Sequence, residues 1–447
     1  MNITHIGMSG MLAAQAGLGM SARNISNQLT AGYSRQGVLL VPRIGGGVEV
    51  GSLIRFNDSY KTQQLWASNA PLGQYAAAES YYKQLEEVMG LDKGSVKAGI
   101  DAFFGALDEV STDPTNTALR QQVISAADAM AKSFNSLRQT MLRQLDTARQ
   151  QSSATADQAN MLSGTIADLN RQIQQVQATG EVPSELLDQR DQAIDRLSAL
   201  IDVQVLRQPD GTIDVSLANG PPLVAGDMAG KLSVAGNADG TFNLELELAG
   251  TRYPLDGERV GGMLGGLSQY TEQTLLPLLE ANKQLASELA DRVNTQLAAG
   301  YGTHGEQGKP LFQFDGSSGL ISINPDLTQA DLGFSNSPTE PGNSANLLAL
   351  IELRKDKIDL PGVGEVSLGD ACTMLIGKLG SASQLNQNAL ARADEVRAQA
   401  ELDWRSVSDI NEGEESVQVS DFLNMYNANM KVISVANQLF ESTLQML

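Results

Sequence analysis

The side chains that could carry out a reaction are few, and none has the neighbours that a reaction requires. The sequence has two histidines, His5 and His304, and neither lies in a motif that pairs it with a nucleophile or a second metal ligand. The only cysteine, Cys372, excludes an intramolecular disulfide and a cysteine-rich metal site. We expect Cys372 to be a small buried core residue.

Two further patterns resemble chemical motifs without completing them. Residues 226–231 resemble a phosphate-binding loop, but one spacer residue is missing and Leu232 stands where Ser or Thr would hold magnesium. We expect a turn between strands there. The paired acids Glu86 with Glu87 and Glu414 with Glu415 are typical of solvated helix faces or of first turns of helices. The sequence therefore predicts no enzyme activity, no metal site and no cofactor.

Composition narrows the class of protein and its partners. Hydrophobic residues make up 42% of the 447 residues and aromatic residues only 5%, which favours helices packed on helices. The net charge of −21 repels phosphate and anionic lipid, so we expect no nucleic acid partner. No stretch of eighteen apolar residues occurs, which predicts no membrane insertion.

The first twenty residues do not have the pattern of a cleaved signal peptide. No Lys or Arg precedes the apolar part, and Gly7, Gly10, Gly17 and Gly19 interrupt it. We expect a protein that stays in the cytoplasm or leaves the cell without losing a leader.

Helical periodicity dominates the chain. Between residues 114 and 183 there is no proline, and apolar residues recur at helical spacing, which predicts a helix of about 60 residues and about 90 Å. Ser and Thr near 152–156 suggest a break in it, and Pro277 suggests a kink in a later helix. The other predicted helices cover about 4–29, 58–90, 95–111, 184–201, 262–300, 345–355, 367–405 and 414–447.

Strand patterns occupy shorter segments. Branched residues and three glycines predict a hairpin or extended strands over 38–56. Between residues 203 and 255, alternating segments are separated by Asp210-Gly211, Asn219-Gly220 and Asp239-Gly240, which are strong hairpin signals. Residues 301–345 are rich in Gly, Pro, Ser and Asp and predict loops with short strands.

These elements predict a mainly α fold with a smaller β domain, in an elongated, hairpin-like molecule. Its terminal helices would pair as a coiled coil beside a long-helix bundle domain and a small antiparallel β domain. The predicted domains are a terminal assembly domain, a helix bundle, a β domain and a loop-rich β lobe. The assembly domain covers 1–57 and 406–447, and the helix bundle covers 58–201, 259–300 and 345–405. The β domain covers 202–258, and the β lobe covers 301–344.

Both ends of the chain carry apolar residues at seven-residue spacing, which is typical of helices that pack on a partner helix. Because little sequence nearby could bury them, we expect both ends to be disordered in an isolated monomer and to fold against other copies. The predicted assembly interface consists of Met8, Met11, Leu18, Ile25, Leu29, Val419, Phe422, Tyr426, Ile433, Phe440, Leu444 and Leu447.

Four asparagines lie on or beside these apolar rows: Asn24, Asn27, Asn429 and Asn437. One interpretation is capping and solvent contact. The other is that buried amides fix the register between helices, as polar residues do in coiled coils.

Residues 24–36, Asn-Ile-Ser-Asn-Gln-Leu-Thr-Ala-Gly-Tyr-Ser-Arg-Gln, resemble the N-terminal signature of bacterial flagellar axial proteins. The ending Tyr33-Ser34-Arg35-Gln36 is similar to the hook-associated protein 1 (FlgK) family. The segment from Trp404 through Glu414 and Glu415 to Asn437 resembles the same family. The chain departs from the family at Ala31, where proline is frequent, and near Ser408, where glycine is frequent.

The resemblance implies a structural subunit at the junction of hook and filament, exported by the flagellar type III apparatus to the extracellular flagellum. It also implies self-association into a ring or helical layer, contact with the hook protein and other hook-associated proteins, and an export chaperone on the C-terminal helix. The short segment 301–345 implies a compact member of the family.

Two alternatives remain. A hook or rod subunit would share the terminal rows, but the long helical segment 58–201 and the Ser34-Arg35-Gln36 ending argue against it. An enzyme on an axial scaffold would need a catalytic constellation, which the sequence does not show.

Overall fold

A computed structural model describes residues 3–90, 93–180, 182–218, 220–237 and 241–446. The fold is mainly α with smaller antiparallel sheets, as predicted. The helices are α1 (Ile3–Ser26), α2 (Ser59–Met89), α3 (Val96–Val110), α4 (Thr117–Gln177), α5 (Ser184–Leu200), α6 (Gly262–Tyr270), α7 (Leu276–Ala298), α8 (Ala345–Glu352), α9 (Ala371–Ser408) and α10 (Glu412–Gln445).

Several of these helices begin at a polar cap. Asp58 accepts bonds from two backbone N–H groups of α2, and Asn116 and Asn411 do the same for α4 and α10. Such caps satisfy N–H groups that have no partner inside the helix. Helix α1 ends at Ser26, earlier than predicted, and Gly32 takes a positive φ in the loop that follows.

Helix α4 runs for 61 residues without interruption, so the predicted break near 152–156 is wrong. Ser152 and Thr155 donate their hydroxyl hydrogens to carbonyls four residues earlier, at 2.8 Å in both cases. Both side chains are buried in the packing of the helix. Their low intrinsic propensity is therefore outweighed by tertiary contact.

The helical segment that begins at Gly262 departs from regular α-helix shortly before its proline. A π-helical turn, Thr271–Leu275, joins α6 to α7, and Pro277 lies in the first turn of α7. Proline has no N–H to donate, and at the start of a helix that donor is not needed. The irregularity that was predicted at Pro277 is therefore a π-helical turn, and it lies just before the proline.

The strands form small antiparallel sheets that are hydrogen-bonded in the orders β1-β2, β3-β4-β5-β6, β7-β8-β9, β10-β11 and β12-β13. They are β1 (Gln36–Pro42), β2 (Val48–Arg55), β3 (Val203–Arg207), β4 (Ile213–Leu217), β5 (Pro222–Ala225), β6 (Met228–Ala229), β7 (Lys231–Gly236), β8 (Phe242–Leu248), β9 (Thr251–Leu255), β10 (Phe312–Asp315), β11 (Leu320–Ile323), β12 (Lys357–Leu360) and β13 (Gly364–Ser367).

The turn predictions have mixed outcomes. Gly211 takes a positive φ between β3 and β4, as an Asp-Gly hairpin requires. The Asn219 and Asp239-Gly240 signals fall on residues outside the described part of the chain. Residues 226–231 contain the predicted turn between strands, because Gly226 and Asp227 connect β5 to β6 and Lys231 then begins β7. The β12–β13 hairpin was missed, because residues 356–366 do not alternate cleanly between apolar and polar.

Two hydrophobic cores hold the molecule together, and α4 contributes to both. The first core lies among α2, α3, the first half of α4, α7 and α9. It includes Phe312 and Phe334 from the loop-rich segment. The second core packs the other half of α4 with α5 and the sheets between Val203 and Leu255. The domain boundaries stay a prediction, and both cores extend across them.

Candidate assembly interface

Helix α1 lies antiparallel to α10, with glycines at the points of closest approach. A Cβ atom added at Gly7 would lie 2.8 Å from the Ile433 side chain. One added at Gly10 would overlap the Asn429 amide, and one at Gly17 would overlap the Phe422 ring. Each residue of α1 is therefore opposite a residue whose number is about 440 minus its own.

A row of small and polar residues forms the buried face of α1. Its members alternate at spacings of three and four, which is the heptad pattern of paired helices. This row was missed because hydrophobicity alone does not mark it, although the glycine spacing was visible. It consists of Gly7, Gly10, Ala14, Gly17, Ser21 and Asn24.

The predicted N-terminal residues lie elsewhere on the helix. Met11 and Leu18 are half-buried, and Met8 and Ile25 are exposed. Leu29 lies beyond the end of α1 and is 97% exposed. These residues do not belong to the buried row of glycines and small side chains, and their role in assembly stays a prediction.

The predicted C-terminal residues divide into two groups. Phe422 and Ile433 contact α1, and Val419 and Tyr426 are half-buried on the same row. Phe440 and Leu444 are exposed, at 66% and 58%. Leu447 lies outside the described residues. The second group has no partner within the described part of this chain, and its role in assembly stays a prediction.

Asn24 joins the end of α1 to the first strand. Its side chain is fully buried, and its amide donates to the Gln36 carbonyl at 2.8 Å and accepts from the Gln36 N–H at 3.1 Å. The Tyr33 hydroxyl donates to the same amide oxygen at 3.0 Å. Asn24 thus holds the loop after α1 so that β1 begins beside the end of the helix. Neither capping nor register between helices describes this role.

The other three asparagines differ from Asn24. Asn27 follows the last residue of α1, is half-exposed and donates its side-chain amide to the Arg23 carbonyl of that helix, and Asn437 is exposed. These two fit the interpretation of capping and solvent contact. Asn429 is half-buried against Gly10 and donates to the Met425 carbonyl at 2.8 Å. A polar side chain therefore occupies the contact between α1 and α10 at this position.

Arg35 connects the N-terminal signature to α10. Its Nε donates to Glu415 at 2.8 Å and its Nη1 to Glu414 at 2.8 Å. Its guanidinium lies 5.1 Å from the centre of the Phe56 ring. Glu415 is the one fully buried residue in the described part of α10. Both acids lie in the first turn of the helix, which is one of the two placements predicted for them, and Glu415 is buried and not solvated.

Arg55 connects the hairpin to α5 in a similar way. It donates to Asp188 at 2.7 Å and to Asp191 at 2.8 Å, and its other contact is the Ser34 hydroxyl at 3.1 Å. Burial raises the pKa of the Asp188 carboxyl, and the attraction of Arg55 opposes that rise. With Arg35, this pair ties the N-terminal segment to both neighbouring helices.

The side chains considered for chemistry remain apart. His5 and His304 are both exposed and lie on different elements. Among the described residues, no three metal-ligating side chains gather at one place, and no helix has both the length and the apolar character needed to cross a bilayer. Burial raises the pKa of the Cys372 thiol to about 12.

Comparisons with known proteins all match this chain to flagellar hook-associated proteins. The family described as the flagellar hook-associated protein FlgK helical domain matches residues 82–312. Flagellar hook-associated protein 1 of Escherichia coli (strain K12) is 30% identical over 68% of this chain, and the match spans 58% of that protein. The protein of the same name from Bacillus subtilis (strain 168) is 26% identical over 97% of this chain and 95% of its own length.

A solved structure has the same fold. It is the flagellar hook junction protein FlgK from Burkholderia pseudomallei, with a TM-score of 0.65 and 18% identity. The similarity covers 77% of this chain and 100% of that one. Since the helical-domain family matches more than half of the sequence, this chain belongs to the flagellar hook-associated protein FlgK family.

Proposed function

We propose that the chain is a structural subunit of the bacterial flagellum at the junction of hook and filament. It polymerises through its terminal helices and is needed for filament assembly and motility. Family membership supports this proposal, and the observation that carries it is the α1–α10 pair. That pair presents apolar side chains on its outer surface with no partner within the described part of the chain.

The outer surface of α10 is unusual for an isolated protein. Large exposed apolar patches on soluble proteins mark interaction sites. The exposed apolar side chains of this helix are Val417, Leu423, Met430, Val432, Val435, Leu439, Phe440 and Leu444, and Met446 at its C-cap is exposed as well.

The total exposed surface supports the same proposal. The chain exposes 22034 Å², whereas a compact monomer of this mass would expose about 16,000 Å². The surplus of about 6,000 Å² exceeds what a standard protein interface buries, which is about 800 Å² per partner. An elongated subunit surrounded by several neighbours would cover much of it.

The partners follow from the same proposal. Copies of the chain would form a ring or helical layer, with the hook protein and other hook-associated proteins above and below it. An export chaperone would cover the apolar face of α10 before secretion. The subunit would reach the extracellular flagellum through type III export, and it would catalyse no reaction.

A deletion strain tests this proposal. Electron microscopy of cells without the gene should show intact hooks that lack filaments, and the cells should not swim. Expression of the full chain should restore both filaments and swimming. Loss of the hooks themselves would select a hook or rod subunit instead, and normal filaments would refute all of these assignments.

A further inference from the structure

We infer that the tip of the β1–β2 hairpin of one copy docks into the groove between α2 and α9 of a second copy. This inference rests on the proposed function, because it requires copies that lie side by side. It starts from Ile44 at the tip, which is the most exposed large apolar side chain among the described residues, at 102%.

The hairpin tip has a defined conformation. Gly45, Gly46 and Gly47 all take positive φ, which side chains other than glycine rarely adopt. The Arg43 N–H donates to the Gly47 carbonyl at 3.1 Å, which closes the turn. The tip therefore presents Ile44 and Arg43 together.

Helix α1 supports this tip from behind. The Val48 N–H donates to the Ser9 hydroxyl at 3.1 Å, and that hydroxyl donates to the Ile6 carbonyl at 2.8 Å. Gly47 lies so close to Ser9 that a Cβ atom would overlap the hydroxyl. A turn whose backbone is already held in place loses less conformational entropy on binding, which favours the use of Ile44 as an anchor.

The charges of the chain show where this tip would bind. Residues 1–57 contain four arginines and one glutamate, a net charge of +3, while the rest of the chain carries −24. Arg35 and Arg55 are already bonded to buried acids of their own chain. Within the described part of the chain, the only ion pair of the Arg43 side chain is a contact of 3.9 Å with Glu49, and both side chains are more than half exposed. Such a pair is weak and easily exchanged for another.

The groove between α2 and α9 offers the matching chemistry. It has a volume of about 490 Å³, with an apolar part formed by Leu72, Leu390 and Ala391. Glu79 and Lys83 at its edge are bonded to each other at 2.9 Å. Asp394 is exposed, and no ion pair involves it within the described part of the chain. In the docked state, Ile44 would fill the apolar part and Arg43 would face Asp394.

A contact between two different surfaces of the same chain has a geometric consequence. Such a head-to-tail contact repeats from copy to copy and generates either a closed ring or a helix. It would supply a lateral link between neighbouring subunits that is separate from the terminal helices.

Disulfide trapping in assembled flagella tests this inference. The full chain with Ile44→Cys and Ala391→Cys should give crosslinked dimers and higher species on a non-reducing gel after mild oxidation, since both positions are exposed. The matched control pairs Ile44→Cys with Leu385→Cys, which lies on another side of α9 and should stay monomeric. Cys372 is buried and should not interfere.

Charge exchange supplies a second measurement. Arg43→Asp in the two-cysteine chain should lower the crosslink yield by roughly threefold or more, and adding Asp394→Arg should restore it. Normal filaments without the crosslink, or a crosslink from residue 44 only to another protein, would overturn the inference while leaving the proposed function intact. Absence of the unmodified chain from flagella would instead refute the proposed function.

Discussion

Arg35 and Glu415 lie 380 residues apart in the sequence and form a hydrogen-bonded ion pair of 2.8 Å. The Glu415 side chain is fully buried and that of Arg35 is 15% exposed. The pair joins the signature after α1 to the first turn of α10, so the two ends of the chain meet at one point. The Arg35 N–H also donates to the Ser408 carbonyl, at the end of α9, at 2.9 Å.

Arg35→Ala should destabilise this junction strongly. It would leave the Glu415 carboxylate buried without a partner, which typically costs about 3–5 kcal/mol. Urea unfolding followed by tryptophan fluorescence can measure the change, because Trp66 and Trp404 line one concavity beside Arg55. The matched control is Arg43→Ala, whose ion pair is exposed and should contribute less than about 1 kcal/mol. Equal effects of the two variants would contradict the prediction.

Gly17→Ala should impair assembly, whereas Gly19→Ala should not. A methyl group at Gly17 would overlap the Phe422 ring and force α1 away from α10, at a cost of about 1–3 kcal/mol. Gly19 lies on the same helix with nothing within 4 Å of its Cβ position, so alanine there should favour the helix slightly. Swimming and electron microscopy of filaments provide the measurement. Normal filaments with Gly17→Ala would show that the close contact is dispensable.

Hydrogen exchange of the isolated monomer should be fast before residue 30 and after residue 415. Helix α10 packs along α1 but has one buried residue in its described part, so the pair has little core of its own and is only marginally stable in the monomer. Amides of α4 should exchange slowly in the same sample, since that helix runs through both cores. Strong protection of both termini in a monodisperse monomer would contradict the prediction.

The Cys372 thiol should not react with a thiol reagent at pH 8 in the folded protein, and it should react fully in denaturant. Burial raises its pKa to about 12, whereas an unfolded cysteine has a pKa of about 8.5. The folded state therefore keeps its proton while the unfolded state loses it. Stability contributed by this group should be present below about pH 8.5 and decline between about pH 8.5 and 12. In a Cys372→Ala variant, that part of the decline should be absent.

Local signals in the sequence predicted the elements well. Gly211 marked a predicted hairpin by a mechanism that involves only neighbouring residues. Asp58, Asn116 and Asn411 cap helices in the same local way, although the sequence predictions did not use them. The break predicted near Ser152 failed because packing against a distant segment decides that position. Helix propensity is a property of each residue alone and gives no information about packing against distant segments.

The packing of α1 on α10 was predicted only in part, and the role of their residues in assembly stays a prediction. Phe422 and Ile433 were found because large apolar residues at heptad spacing indicate a packing face. Their partners on α1 are Gly7, Gly10 and Gly17, which a search for hydrophobic residues passes over. The pairing of Arg35 with Glu415 joins opposite ends of the chain, and one sequence alone does not reveal which charges meet.

The continuity of α4 has a mechanical consequence. Because one helix of 61 residues belongs to both cores, no flexible joint separates them along its length. A force applied at one end of α4 is therefore transmitted to the other end, because no hinge within the helix bends under it. In the proposed position between hook and filament, such stiffness would let the subunit transmit torque without bending.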